Sequence, residues 1–291
     1  MSQARRVGII AVAAALTLCA AVTLGACAPT ARPSALKPRI APPLIHDAGV
    51  LRAGVDLSYP PFGGTDRGRQ AGIDVDVASA LAGRLGLKVR ILDVKASEIA
   101  SALADNRIDA GLSAPFSADV LSRATIAGTY LTDGPALFAT DASTSVSPAS
   151  AAGALDGFKL AAQQDSEAYW RLVDDYGTGS LASFPTLRDA LGALARGEVR
   201  AVGGDALVGA YIARDYPGVR FAGALDNAKP LGVAVSADNT KLADVVRTTL
   251  DSMAADGVLG TIRATWVGEL PKLPTGSDDA SSAAASELST P

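Results

Sequence analysis

The side chains able to do chemistry in this 291-residue chain are acids, hydroxyls and aromatic rings that follow short apolar runs. Asp56, Tyr59 and Phe62 come directly after the run Leu51–Val55, and Ser113 and Phe116 come after Ile108–Leu112. Ser166 and Glu167 follow Phe158–Ala162, and Asp205 follows Val199–Gly203. A carboxylate gives an ammonium group a charge-assisted hydrogen bond, shorter and stronger than a neutral one. Asp56, Glu167 and Asp205 brought into one cleft could also run carboxylate-only acid–base chemistry. Each acid has a plainer role beside that one. Asp56 suits a cap on the turn after it, Asp205 an N-cap on the helix after it, and Glu167 a first-turn acid on a helix dipole.

Other chemistries have no residues to carry them. The single histidine, His46, stands ahead of the first apolar run, and both cysteines, Cys19 and Cys27, lie near the start of the chain. Ser–His–Asp and thiol nucleophiles are thereby excluded from the body of the protein, metal constellations built on His or Cys are missing from it, and no metal or cofactor is expected.

The elements that must hold these side chains alternate between strand and helix. Leu51–Val55 reads as a strand, Gly72–Val77 opens a helix with Ile73, Val77, Leu81 and Leu85 on one face, and Val89–Leu92 is a second strand. Ile99 and Leu103 mark a second helix and Ile108–Leu112 a third strand. Strands and helices alternating at short spacing build a parallel sheet with right-handed crossovers, whose ligands lie at the carboxyl ends of the strands. A second series starts after the Ser/Ala/Pro-rich stretch 143–154. It comprises strands at 158–162, 181–184 and 199–203, with helices at 166–176, 186–196 and 206–215. A strand at 231–235 and helices at 239–255 and 258–267 close the chain. The fold class expected is α/β, with two sheets flanked by helices.

The ends describe an exported protein. Arg5 and Arg6 precede an apolar run from Val7 to Ala26, the pattern of a secretory leader. Either the general or the twin-arginine route suits it. Leu24-Gly25-Ala26-Cys27 resembles a lipobox, which implies lipidation at Cys27 and an anchor to the outer face of the cytoplasmic membrane or in the periplasm. Cys19 leaves with the leader, so no disulfide remains. With 48% apolar residues, the roughly 220 positions between the tails can still fill two ordinary lobes. Residues 27–48 read as a Pro-rich tether and 272–291 as a disordered tail. Loss of Arg5 and Arg6 takes the formal charge from −4 to −6 with no basic cluster left, which argues against nucleic acid as a partner.

Several stretches in order resemble the extracellular solute-binding proteins of ABC importers, specifically the polar amino-acid family. They are Tyr59-Pro60-Pro61-Phe62, Gly72-Ile73-Asp74-Val75-Asp76, Gly197–Val202, and Ala255-Asp256-Gly257 with Trp266 after it. The resemblance covers roughly 50–270. It implies a two-lobed fold of type II: lobe 1 from 49–138 and 231–271, lobe 2 from 139–230, and a two-strand hinge near 138–142 and 227–231. It further implies a monomer that captures a small polar ligand, an amino acid or amine, and delivers it to a membrane permease. Tyr59 then matches an aromatic lying flat on the ligand, Asp56 a pocket acid in binders of basic amino acids, and Asp205 the acid that receives the ligand's ammonium group.

Two departures stand against ordinary amino-acid binding. Where the family usually has Gly-Thr-Thr or Gly-Ser-Thr at a helix start, this chain has Gln163-Gln164-Asp165-Ser166-Glu167, keeping Ser166 alone and adding acids to an anion site. Where it has a carboxylate-binding arginine, this chain has Val120 or Leu121; Arg123 is the nearest base, turned to another side of a helix. Arg123 stays a ligand-binding candidate because a shifted helix would restore its carboxylate contact and ordinary amino-acid binding. Phe116 replaces the second hydroxyl of the loop begun by Ser113. The expectation is therefore a cationic or amine-bearing ligand and no enzyme activity. The alternatives are a dehydratase of the cyclohexadienyl type, known on the same fold, or a ligand-sensing lipoprotein coupled to a signalling partner.

Overall fold

Val50–Val55 (β1) is buried on both faces, as a central strand of a parallel sheet must be. In the computed structural model, which describes residues 37–115, 117–140 and 155–276, it leads into a small hairpin of β2 (Gly64–Asp66) and β3 (Arg69–Ala71). Next come α1 (Ile73–Arg84), β4 (Lys88–Asp93), α2 (Ile99–Ala104), β5 (Ala110–Pro115), α3 (Ala118–Arg123) and β6 (Ala124–Asp133). The chain continues with β7 (Pro135–Ala139), β8 (Leu160–Gln163), α4 (Glu167–Tyr176), β9 (Leu181–Phe184), α5 (Leu187–Ala195), β10 (Ala201–Asp205), α6 (Ala206–Ala213) and β11 (Arg220–Ala224). It ends with β12 (Lys229–Ser236), α7 (Thr240–Ala255) and α8 (Val258–Val267).

Two five-stranded sheets result, in the orders β4-β1-β5-β12-β6 and β11-β7-β10-β8-β9. In the first, β1 runs parallel to β4 and β5, while β12 is antiparallel to β5 and β6. In the second, β10 runs parallel to β8 and antiparallel to β7. The fold is α/β, with two sheets flanked by helices.

The first crossing between sheets falls at Gly134, earlier than 138–142. The apolar run Pro135–Ala139 continues the first lobe by sequence, yet it pairs with β10 and β11. Phe138 near its centre is fully buried in the second sheet's core. A uniformly apolar strand carries no sign of which sheet it joins, so the lobe boundary moves from 138 to 134. The second crossing lies between Ala224 and Lys229. The two crossings run side by side, with Leu225 N–H donating to Pro135 O at 2.9 Å and Lys229 opposite Asp133.

The tether and the tail are shorter than expected. Ile40 and Ile45 are buried on the first lobe, Asn239 Nδ2 donates to Leu44 O, and His46 N–H donates to Asp109 Oδ1. Leu273 is likewise buried, and Pro274 O accepts from Ala228 N–H at 2.7 Å. Isolated apolar residues plugging a formed core leave no periodicity in the sequence. The leader, Cys27, the stretch 143–154 and the end of the tail lie outside the described residues.

Candidate functional site

Between the two sheets lies a cavity of about 610 Å³, lined by Asp56, Tyr59, Phe62, Asp74, Ser113, Asp133, Glu167, Asp205 and Lys229 with several apolar residues. The loop after β1 supplies its aromatic wall. The Tyr59 and Phe62 rings stack with centroids 5.6 Å apart and planes 2° from parallel; Phe62 is buried and Tyr59 half exposed. Asp56 Oδ1 accepts from Ser58 N (2.9 Å), Ser58 Oγ (2.6 Å) and Lys95 Nζ (3.1 Å). Burial raises the Asp56 carboxyl, but the Ser58 and Lys95 contacts outweigh it and hold the group below the ordinary range.

The start of α1 is locked to that loop. Ile73 N–H and Asp74 N–H donate to Pro61 O and Phe62 O, both at 2.9 Å. Gly72 makes this possible: its φ is 142°, and a Cβ there would lie 2.2 Å from Phe62 O. Asp74 is thereby sunk into the wall, 1% exposed, with Tyr130 Oη donating to its Oδ1 at 2.6 Å. Ser113 N–H in turn donates to Tyr130 Oη at 2.7 Å from a left-handed backbone, φ 50°, a strain of about 1 kcal/mol of the kind that collects at ligand sites. Burial pushes Asp74 up to about 7 against the Tyr130 and Ser113 hydrogen bonds.

The opposite wall rises from the crossing strands. Asp133 Oδ1 accepts from Gly134 N (2.9 Å) and Leu207 N (3.0 Å), so an acid at the end of β6 caps α6 across the crossing. Asp205 holds the N-cap position of α6 but makes no side-chain cap bond, which leaves its carboxylate to the cavity. There Tyr59 Oη donates to Asp205 Oδ2 at 3.4 Å. Burial pushes Asp133 up to about 7 against its backbone donors, with Asp205 adding to the rise. Burial also raises Asp205. Burial, then Asp205 and Asp133, push the Tyr59 phenol well above its ordinary value, so it acts as a donor. Lys229 Nζ pairs with Glu167 Oε1 at 2.6 Å.

Of the residues singled out in the sequence, Asp56, Tyr59, Ser113, Glu167 and Asp205 line this cavity. Ser166 is a helix cap instead, its Oγ accepting from Tyr169 N at 3.1 Å and donating to Gln163 O at 2.8 Å. Arg123 borders a separate hollow with Ser236, Asp238 and Lys241. Val120 is buried against the first lobe's core. Phe116 lies outside the described residues. Sequence reasoning misses Asp74, Asp133 and Lys229 as site residues. Asp74 stands in the motif Gly72–Asp76, and Asp133 shows only as a lone acid before a glycine inside an apolar run.

Residues 51–269 match the family described as bacterial extracellular solute-binding proteins, family 3. Among solved structures, a polar amino acid ABC uptake transporter substrate binding protein from Streptococcus thermophilus is 17% identical with a TM-score of 0.68, over 76% of this chain and 87% of that one. The L-cystine solute receptor of Neisseria gonorrhoeae, in its unliganded open conformation, is 22% identical with a TM-score of 0.65, over 76% of this chain and 94% of that one. An ancestral arginine-binding protein bound to arginine is 27% identical with a TM-score of 0.53, over 77% of this chain and 100% of that one. No curated protein matches.

Proposed function

The chain belongs to the bacterial extracellular solute-binding proteins of family 3, and we propose that it captures a cationic, amine-bearing solute between its lobes and hands it to an ABC permease. The charge balance of the cleft carries this reading. Among the described residues five carboxylates line the cavity, and the lone lysine in that lining already pairs with Glu167. No arginine is among them, so a ligand carboxylate would be desolvated without a partner, at a cost that abolishes useful affinity. An ammonium group would instead meet Asp205, with Tyr59 at its side.

Family membership implies export, and no helix among the described residues is long and apolar enough to cross a membrane. Attachment through acyl chains on Cys27, following the lipobox-like Leu24–Cys27, would supply the anchor. Intact-mass measurement of the native protein tests it: an unlipidated Cys27 ends that part of the reading.

A thermal-shift screen of amines against amino acids tests the ligand class. At a hundred times its dissociation constant a true ligand stabilises by roughly 2.7 kcal/mol. Stabilisation by glutamate and none by amines would reject the proposal. Permease and ATPase genes beside this one would separate an importer component from a sensor. A dehydratase reading draws on Asp74 and Asp133, whose values of about 7 suit a general acid. Aromatic product formed from prephenate or arogenate would establish it.

A further inference from the structure

The acids of the cleft are neither equally matched nor in one place, and this narrows the ligand beyond a single cation. Asp56 is matched by Lys95 at 3.1 Å and Glu167 by Lys229 at 2.6 Å. Asp74, Asp133 and Asp205 have no cation within ion-pair distance among the described residues. Asp74 lies under Ser113 and Tyr130 in the wall of the first lobe, where the acid it senses is Asp56. Asp133 and Asp205 belong to the crossing and the second sheet, where Asp133 senses Asp205, and Asp205 senses Glu167 and, in the opposite direction, the more distant Lys229 ammonium.

Both acids at the crossing keep an oxygen for a ligand. Leu207 N–H and Gly134 N–H both donate to Asp133 Oδ1, while Ala206 N–H goes to Gly134 O, and Asp205 gives only Oδ2 to Tyr59. The same cavity also has apolar lining: Tyr59 stacked on Phe62, with Leu112, Pro230 and Leu231. A buried carboxylate must meet an opposite charge to ionise at low cost. One ammonium group cannot serve both places, while an alkyl chain lies comfortably along aromatic and aliphatic walls. A divalent metal does not fit either, since no three acids among the described residues gather as a metal needs.

Building on the cleft as a cation receptor, we propose that the ligand is a linear amine bearing two or more positive charges and no carboxylate. One ammonium group is held by Asp133 and Asp205, a second is directed to Asp74 and Ser113, and the methylene chain between them lies along Tyr59. The cavity of about 610 Å³ has room for such a chain.

Calorimetric titration of the mature chain decides this, using α,ω-diaminoalkanes of three to six carbons, monoaminoalkanes of the same lengths, and lysine. The best diamine should bind at least tenfold more tightly than the matching monoamine and than lysine. Asp74→Asn should bring the diamine-to-monoamine ratio to within twofold of one. Should that variant fail to fold by circular dichroism, Ser113→Ala reads the same ratio, expected to fall at least threefold. A monoamine or lysine binding as tightly as every diamine overturns this proposal and leaves the cation receptor standing. Binding of none of these amines overturns both.

Discussion

Tyr59 and Asp205, 146 positions apart, meet across the cleft, with the phenol hydroxyl donating to Asp205 Oδ2 at 3.4 Å. One follows the first strand of the first sheet; the other ends a strand of the second. At 3.4 Å the contact is longer than a well-formed O–H···O bond, so it contributes less than the about 1.5–3 kcal/mol of a close hydrogen bond to a charged group. Tyr59→Phe removes the donor but keeps the ring stacked on Phe62. Amine affinity should fall about three- to tenfold with the melting temperature unchanged, as calorimetry and a melt on the same sample would show. Unaltered affinity would mean that the contact belongs to the unliganded protein alone.

Glu167 decides what Lys229 can do. Exposed pairs of this kind add about 0–1 kcal/mol to stability, so Glu167→Gln should leave folding intact. It also frees an ammonium group facing the cavity. Glutamate, which the unaltered protein should reject, should then bind measurably, and the amine should bind more weakly. A variant still blind to glutamate would show that Lys229 plays no part in excluding carboxylates.

Affinity and stability should respond to pH in opposite directions. Asp74 and Asp133 titrate at about 7 in the fold against an ordinary 3.8, so the folded chain keeps protons that the unfolded chain releases. Stability from these two groups is present below about pH 4 and falls as pH rises towards 7, at up to about 1.4 kcal/mol per pH unit for each. A cationic ligand needs them ionised, so its affinity should climb over the upper part of the same range. Asp133→Asn should flatten both curves. Melts and titrations at about pH 5.5, 6.5 and 7.5 would reveal it; parallel curves for variant and parent would contradict the assignment.

Arg52 and Asp109 form a buried pair that supports the first lobe away from the cleft. Arg52 Nη2 meets Asp109 Oδ1 at 2.8 Å, and the same carboxylate takes the backbone N–H groups of Arg52 and His46. Removing one partner of such a pair costs about 3–5 kcal/mol. Asp109→Ala should lower the denaturant midpoint sharply. In ligand-saturated samples that still fold, affinity should stay within about twofold of the parent.

Most of the helices and the parallel strands are legible in the sequence because they carry their own periods. The helix at 258–267 and the strand at 181–184 match their expected bounds. The antiparallel strands β6 and β11 are not legible. Register shifts in the β12–β6 and β11–β7 pairings break the two-residue alternation that marks a strand. The site is half legible for a related reason. Asp56, Tyr59, Ser113, Glu167 and Asp205 lie near or just after the carboxyl ends of strands, where ligands of such sheets gather, but Asp133 gains its meaning only from a crossing that brings it to Leu207, 74 positions later. The carboxylate-binding arginine expected near 120 has no replacement among the described residues of the cleft lining, and Arg123 borders another hollow.

The central claim is that this cleft holds a cation and refuses a carboxylate. Calorimetric titration of the mature chain with a panel of amines and with glutamate, repeated on Asp205→Asn and Arg123→Ala, addresses it most directly. The account predicts micromolar or tighter binding of an amine, lost in Asp205→Asn and kept in Arg123→Ala, with no heat from glutamate. Micromolar glutamate binding that disappears in Arg123→Ala would contradict it.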